Sequence, residues 1–528
     1  MNMDAGMITF GVYLLGILAM GIYLMRRVES YNDFIIGGRR FGPWVSSFSL
    51  ISSYMSGYTY TAAPGLGYTS GYSALWWASG DAPGNALSFG VLARRLRKYS
   101  EMLEAITIPE FYEHRFKSPV LRMVSAAIIV VLVGMHLTAQ WQASGILLSV
   151  TFGTEYLTGL IIGGVVVLTY TLLGGYVAVM YTDFIQGIVM FIGSQILFWT
   201  ALLYVGGFNA FNDQLANIDP QLVTPWGPGN QYLGAMAMIF PIALILMGCF
   251  GYPHITVRHL SLRRPSTARK AMLLTCILVV LFSFAYYLTG GLALTILGEG
   301  LEDVEQAGVL LWFALLPPVL AGILSSAAIA SIMSTADSFL ILLVTTVGHD
   351  VLYRFISPDA SEEKRTLWAR LLVAVLGVIT FIIAINPPGL VFTIVIFAMG
   401  GMGLAFGVPN LFAVYWKKTT AFGVLLSMGL SLFIYVGGTL GNWDLLGFNP
   451  FVLGLIVGVV AIIIGSLLTT PPPVEEFEEA SEFTDLPEEV AGGASTVTAY
   501  EATNALTLLT SRQTNVRLLK VADVPADD

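Results

Sequence analysis

The chain has 528 residues, of which 56% are hydrophobic and only 11% charged, with a net charge of −9 and a mean hydropathy of +0.76. Soluble domains carry about 25% charged residues, so this chain cannot coat a water-facing surface and must set most side chains against lipid or other buried helices. The acidic balance, with no basic stripe interleaved with aromatics, excludes a nucleic-acid-binding surface. Cys249 and Cys276 both lie in apolar stretches and read as small core residues, and two Cys with five His hold no zinc-type cluster.

A spanning helix needs roughly 20 apolar residues, and on that ruler the chain has about 13 spans. They fall near 5–25, 43–70, 72–93, 121–149, 156–179, 183–207, 231–256, 271–297, 309–346, 366–386, 388–414, 420–437 and 449–469. The first lacks a basic leader and a small-residue cleavage site, so it reads as a helix rather than a removable signal. All 25 Lys and Arg, including the run Arg258 to Lys270 and three in the tail, fall on one predicted side, which predicts a multi-pass cell-membrane protein with the N-terminus outside and the C-terminus cytoplasmic. The transporter domain is expected over 1–470. Residues 471–528 open on a Pro-rich acidic run, PPPVEEFEEASEFTDLPEEV, too poor in apolar residues to fold alone, and are expected to be a disordered cytoplasmic tail.

The second span is deliberately weak as a helix: Ser52-Ser53-Tyr54-Met55-Ser56-Gly57 precedes Pro64-Gly65. Broken helices persist at membrane depth only where the freed backbone lines a cavity or meets protein. Transporters hold ions and solutes at such breaks, although a kink that merely improves packing has the same sequence. In the ninth span Ser331, Ser334, Thr335 and Ser338 share a helical face. Adjacent hydroxyls at Ser334 and Thr335 facing open carbonyls would make a compact oxygen site; back-bonding to the preceding turn is the plainer reading. Ionisable residues at membrane depth add Asp81 in GDAPGN, His136, Asp183 and Asp337. Asp183, placed at the turn after the fifth span, and Asp337 fit either an ion path or a buried salt bridge. His136 reads as a hydrogen-bonded bundle residue, and Asp81 stays open.

The segments DFIIGGRRFGPW, SSYMSGYTYTAAPGLGY, ITIPEFYEHRF, ASGILLSVTFG, TYTLLGGYVAVMYTDFIQG, GYPHITVRHL and ASIMSTADS, in that order and spacing, resemble the sodium/solute symporters, which include proline, pantothenate and sugar cotransporters. The resemblance implies an all-α, inverted-repeat leucine-transporter-like fold and sodium-coupled symport, by alternating access, of a small polar organic solute such as proline or a carboxylate. It places sodium on the carbonyls of Ser52, Met55 and Ser331 and the hydroxyls of Ser334 and Thr335. It places solute contacts at Ser56, Gly57, Trp141 and Cys249, and Asp183 on the ion exit. Two positions depart from the proline branch: Tyr54 stands where that branch has an Asp, and Ile245 and Cys249 where it has Trp and Tyr. Proline is the nearest named candidate. The competing readings are a proton-coupled carrier using Asp337, Asp183 or His136, and a solute sensor, for which the tail is too short to hold a signalling domain. No HExxH or paired-Asp constellation suggests an enzyme. The expected partners are the solute, sodium and the lipid bilayer; no obligate protein partner is evident.

Overall fold

The computed structural model describes residues 4–26, 30–231, 250–443 and 449–472, all within the compact unit Met1–Val474; Cys249 and all but the first two residues of the proposed tail lie outside the described residues. Among these residues, nine helices are long and apolar enough to cross a membrane. In chain order, α1 (Asp4–Met25) and the short α2 (Tyr31–Ile36) precede α3 (Pro43–Tyr54), α4 (Ala62–Ser70) and α5 (Leu75–Leu87). Then come α6 (Arg94–Met102), α7 (Ile108–Phe116), α8 (Pro119–Phe152), α9 (Tyr156–Tyr204) and α10 (Phe208–Ile218). After the undescribed stretch follow α11 (Pro253–Leu260), α12 (Thr267–Leu297), α13 (Ala307–Leu315) and α14 (Pro318–Thr345). The last are α15 (Glu362–Ile385), α16 (Val391–Met402), α17 (Val408–Tyr415), α18 (Ala421–Gly441) and α19 (Pro450–Leu467).

Caps fix several starts. Thr107 and Ser118 accept from the backbone N–H of Glu110 and Leu121, with Pro109 and Pro119 in the first turns of α7 and α8. Composition then decides which face meets lipid. On α15 the exposed residues Leu371, Val375, Val378 and Ile382 recur every three or four positions. The opposite stripe, Ala369, Val373, Gly377, Thr380 and Ala384, is buried; small residues there let neighbouring backbones approach closely. The centre of the bundle is α14, where every residue from Leu324 to Thr345 is buried against α1, α3, α8 and α9. With no lipid-facing side, α14 can carry Ser and Thr along its length.

The structure moves two sequence-derived boundaries. The break expected between 179 and 183 lies at Gly175 (φ 55°, ψ −159°), a left-handed conformation that favours glycine, and a Cβ there would meet Phe34. Asp183 is therefore inside the second half of α9, not in a turn. The span expected from 309 is two helices, because Pro317-Pro318 ends α13 and starts α14. The segment 43–70 is interrupted after Tyr54, as its Ser/Gly run suggests. Most of the segment expected at 231–256 lies outside the described residues.

Candidate functional site

The interruption of the second span begins with Met55 (φ −78°, ψ 76°), which donates to Ile51 O and ends α3. Ser56 is extended and its N–H donates to Tyr54 O at 3.0 Å. The Gly57 N–H donates to Gln140 Oε1 of α8 at 2.9 Å. In an unbroken helix those two N–H groups would serve the carbonyls of Ser52 and Ser53. Both carbonyls are thus freed inside a bundle with no bulk water, where each needs a donor.

Hydroxyls of α14 supply them. Ser334 Oγ lies 2.7 Å from Ser52 O, and Thr335 Oγ1 lies 3.0 Å from Ser53 O. The same hydroxyls approach their own helix, Ser334 Oγ at 2.8 Å from Ala330 O and Thr335 Oγ1 at 3.0 Å from Ser331 O. Each hydroxyl has one proton, whereas Thr335 Oγ1 has two carbonyls within reach and Ser334 Oγ three, Ser331 O being the third at 3.2 Å, so at least one contact of each is an oxygen facing an oxygen. Ser52, Ser331, Ser334 and Thr335 are brought together across some of the longest sequence separations in the chain. The Met55 carbonyl, at the start of the break, accepts no hydrogen bond from the described residues. Gly57 is tightly enclosed, since a Cβ would stand 2.7 Å from Ala143 Cβ and 2.9 Å from Ile332 Cγ1.

The other predicted contacts divide. Trp141 is fully buried, but its indole N–H donates to Thr380 Oγ1 at 3.0 Å and its ring packs on Phe381 of α15. The residue that reaches the unwound segment is its neighbour Gln140, whose Nε2 is buried without a hydrogen-bond partner. His136, expected to be hydrogen-bonded, has neither ring nitrogen paired; it packs edge-on against Phe339 at 4.6 Å.

Asp183 is fully buried and pairs with Arg258 Nη2 at 2.7 Å. Ser49 Oγ donates to the same carboxylate oxygen at 2.7 Å, and Asp183 Oδ1 has no partner. Arg258 also donates to Ser338 Oγ at 2.7 Å, which connects the pair to α14 three residues beyond Thr335. Asp337, also fully buried, lies 3.3 Å from Ser338 Oγ through Oδ1. In this conformation Asp183 takes its salt-bridge form. Arg258, grouped by its neighbours into a basic loop, instead projects from α11 into the bundle.

Nearer the basic ends of the helices, Glu113 joins Arg122 at 2.8 Å and Arg354 at 2.7 Å. Glu110 joins His349 at 2.9 Å and accepts the Ile106 N–H at 2.8 Å. Burial pushes the Glu110 carboxyl up, but His349, Arg122 and that N–H outweigh it and bring it to about 2.

The sodium:solute symporter family model matches residues 34–430. The chain belongs to the sodium:solute symporter family. The symporter is 32% identical to the osmoregulated proline transporter OpuE of Bacillus subtilis over 478 residues, covering 88% of this chain and 95% of that protein. It is 30% identical to a sodium/proline symporter of Staphylococcus aureus, covering 88% and 93%. It is 29% identical to the sodium/pantothenate symporter of Escherichia coli, covering 87% and 96%. A sodium-coupled sialic acid symporter shares its fold with a TM-score of 0.74 at 18% identity, covering 88% of this chain and 98% of that one. The symporter is thus a multi-pass membrane transporter with the leucine-transporter-like fold, and sodium is its coupling ion.

Proposed function

We propose that this symporter carries a small polar organic solute, an amino acid such as proline or a carboxylate, together with sodium by alternating access. The observation that carries the reading is the contact of the Ser334 and Thr335 hydroxyls with the freed carbonyls of Ser52 and Ser53, at 2.7 and 3.0 Å. Three carbonyls, of Ser52, Met55 and Ser331, and the two hydroxyls give the ion uncharged oxygens from both sides of the break. The ion then cross-links α3 to α14, and its release lets them separate. That makes occupancy of the site and the packing of the two helices one equilibrium.

The solute lies beside the ion, against Ser56 and Gly57. Gln140 Nε2, buried and unpartnered, supplies a donor for one of its acceptor atoms. Cys249 and Trp141 are the remaining solute contacts of this reading. Asp183 and Asp337 mark the way out toward the basic helix ends, where the open Asp183 Oδ1 offers the ion an acceptor as Arg258 lets go. The confinement of all 25 basic residues to one predicted side supports a cytoplasmic C-terminus and an outside N-terminus.

The test is uptake of labelled proline and pantothenate by the purified full-length protein in proteoliposomes. It is run with an imposed sodium gradient, an imposed proton gradient, or neither. Accumulation only with sodium is expected; uptake driven by protons and indifferent to sodium overturns the reading.

A further inference from the structure

A second polar cluster borders the unwound segment, built around Asp81 of α5. The Asp81 side chain is 6% exposed. Its Oδ1 accepts from Tyr54 Oη at 2.5 Å, and its Oδ2 accepts from Tyr286 Oη at 3.0 Å and Tyr287 Oη at 3.3 Å. Tyr58 Oη extends the chain of phenols, 3.1 Å from Tyr287 Oη. Two of these tyrosines, Tyr54 and Tyr58, flank the break and are half-buried, whereas Tyr286 and Tyr287 of α12 are fully enclosed. The cluster therefore opens toward the unwound segment and is closed behind by α12. Among the described residues, Asp81 makes no ion pair with Lys, Arg or His.

We propose that Asp81 and its ring of tyrosines bind a cationic ammonium group of the transported solute. This deepens the function proposed above and rests on it. A carboxylate at membrane depth is costly unless a positive charge answers it, and the protein supplies none here. Three phenol O–H groups match an acceptor-only carboxylate and hold it in one orientation. They occupy three of its roughly four lone-pair positions, leaving about one free. Sodium, which gathers several oxygens, is poorly served by a single one. An alkylammonium needs one strong acceptor for an N–H and tolerates aromatic faces around its remaining surface, where ring quadrupoles attract it. The rings supply that surface: Tyr286 and Tyr287 lie 4.5 Å apart, and Tyr54 lies 6.1 Å from Tyr252. The sequence carries Tyr54 at the break and moves the negative charge to the neighbouring helix, so that ion and solute charge are held by different groups. The solute class this selects is an amino or imino acid rather than a simple carboxylate.

The test uses the full-length protein in proteoliposomes under a sodium gradient, with labelled L-proline as probe. Its competitors are tetrahydrofuran-2-carboxylate, in which a ring oxygen replaces the ammonium, and pantothenate, which has no ammonium. Wild type should be inhibited by amino acids and not by the two ammonium-free compounds. Asp81→Asn, which keeps the volume but removes the charge and turns one acceptor oxygen into an NH2 donor that the facing phenol can meet by rotating its O–H, should raise half-saturating proline about 10- to 100-fold, the range for a lost charge-assisted hydrogen bond. Its binding of radioactive sodium without solute should stay within twofold, which also reports a folded protein. Tyr287→Phe should shift proline in the same direction by less. Unchanged proline affinity in Asp81→Asn, or loss of solute-free sodium binding, overturns the inference. So does a wild type that carries only ammonium-free carboxylates, an outcome that leaves sodium coupling standing. Amine-selective, Asp81-dependent uptake indifferent to sodium would instead sustain this inference and remove the sodium site.

Discussion

Removing the two hydroxyls that meet the unwound segment should cost the symporter its sodium affinity while leaving it folded. In Ser334→Ala with Thr335→Ala, the carbonyls of Ser52 and Ser53 lose partners at 2.7 and 3.0 Å, and two of the five proposed ligand oxygens disappear. If each hydroxyl contributes about 1.5 kcal/mol to the bound ion, the pair contributes about 3 kcal/mol. That corresponds to a rise of about 100-fold in half-saturating sodium. The assay is initial solute uptake in proteoliposomes across a sodium series at fixed membrane potential. Ser325→Ala serves as the control, because that hydroxyl is buried on the same helix but bonds only Ala321 O, at 3.0 Å. A double variant with wild-type sodium dependence would refute the reasoning. So would an equal loss in the control, which would show that any missing hydroxyl on α14 has the same effect.

The Asp183–Arg258 pair should behave as a unit. Either Asp183→Asn or Arg258→Gln alone leaves a buried charge uncompensated and should cost about 3–5 kcal/mol, whereas the double variant should recover much of it in a detergent thermal-unfolding series; additive losses would contradict the pairing. Gly67→Ala should destabilise strongly and weaken solute binding, because its Cβ would strike the Tyr287 carbonyl across the α4–α12 contact; a neutral effect would show that the helices have room to separate. Glu110 has its carboxyl lowered from 4.5 to about 2, equivalent to about 3 kcal/mol. Because the folded value is the lower one, that stability is present above pH 4.5 and lost as pH falls toward about 2. The melting-temperature gap between wild type and Glu110→Gln should therefore close over that interval, and a gap constant with pH would count against the ion-pair network.

Sequence made the broken helix legible because Ser, Gly and Pro have few ways to satisfy a backbone inside lipid, and Ser52 to Gly57 concentrates them. The hydroxyl face of α14 was equally readable from the spacing of Ser331, Ser334 and Thr335. What sequence concealed were partnerships set by side-chain direction. Arg258 sits five residues before two further arginines, so it looked like part of a basic loop, yet it points inward to Asp183. Gln140 was hidden beside the more conspicuous Trp141; an unpaired amide on a helix face shared with small residues such as Ala143 was the available signal. Asp81 could not be interpreted because its meaning comes from three tyrosines contributed by two other helices. The bend at Gly175 was misplaced to Asp183 because a polar residue looks like a turn until its buried partner is known.

A map of the full-length symporter in sodium, compared with one in choline, tests the ion site most directly. The expected result is a sodium-dependent peak bounded by the carbonyls of Ser52, Met55 and Ser331 and the hydroxyls of Ser334 and Thr335. A peak elsewhere, with both hydroxyls still closed on the carbonyls of Ser52 and Ser53, would contradict it.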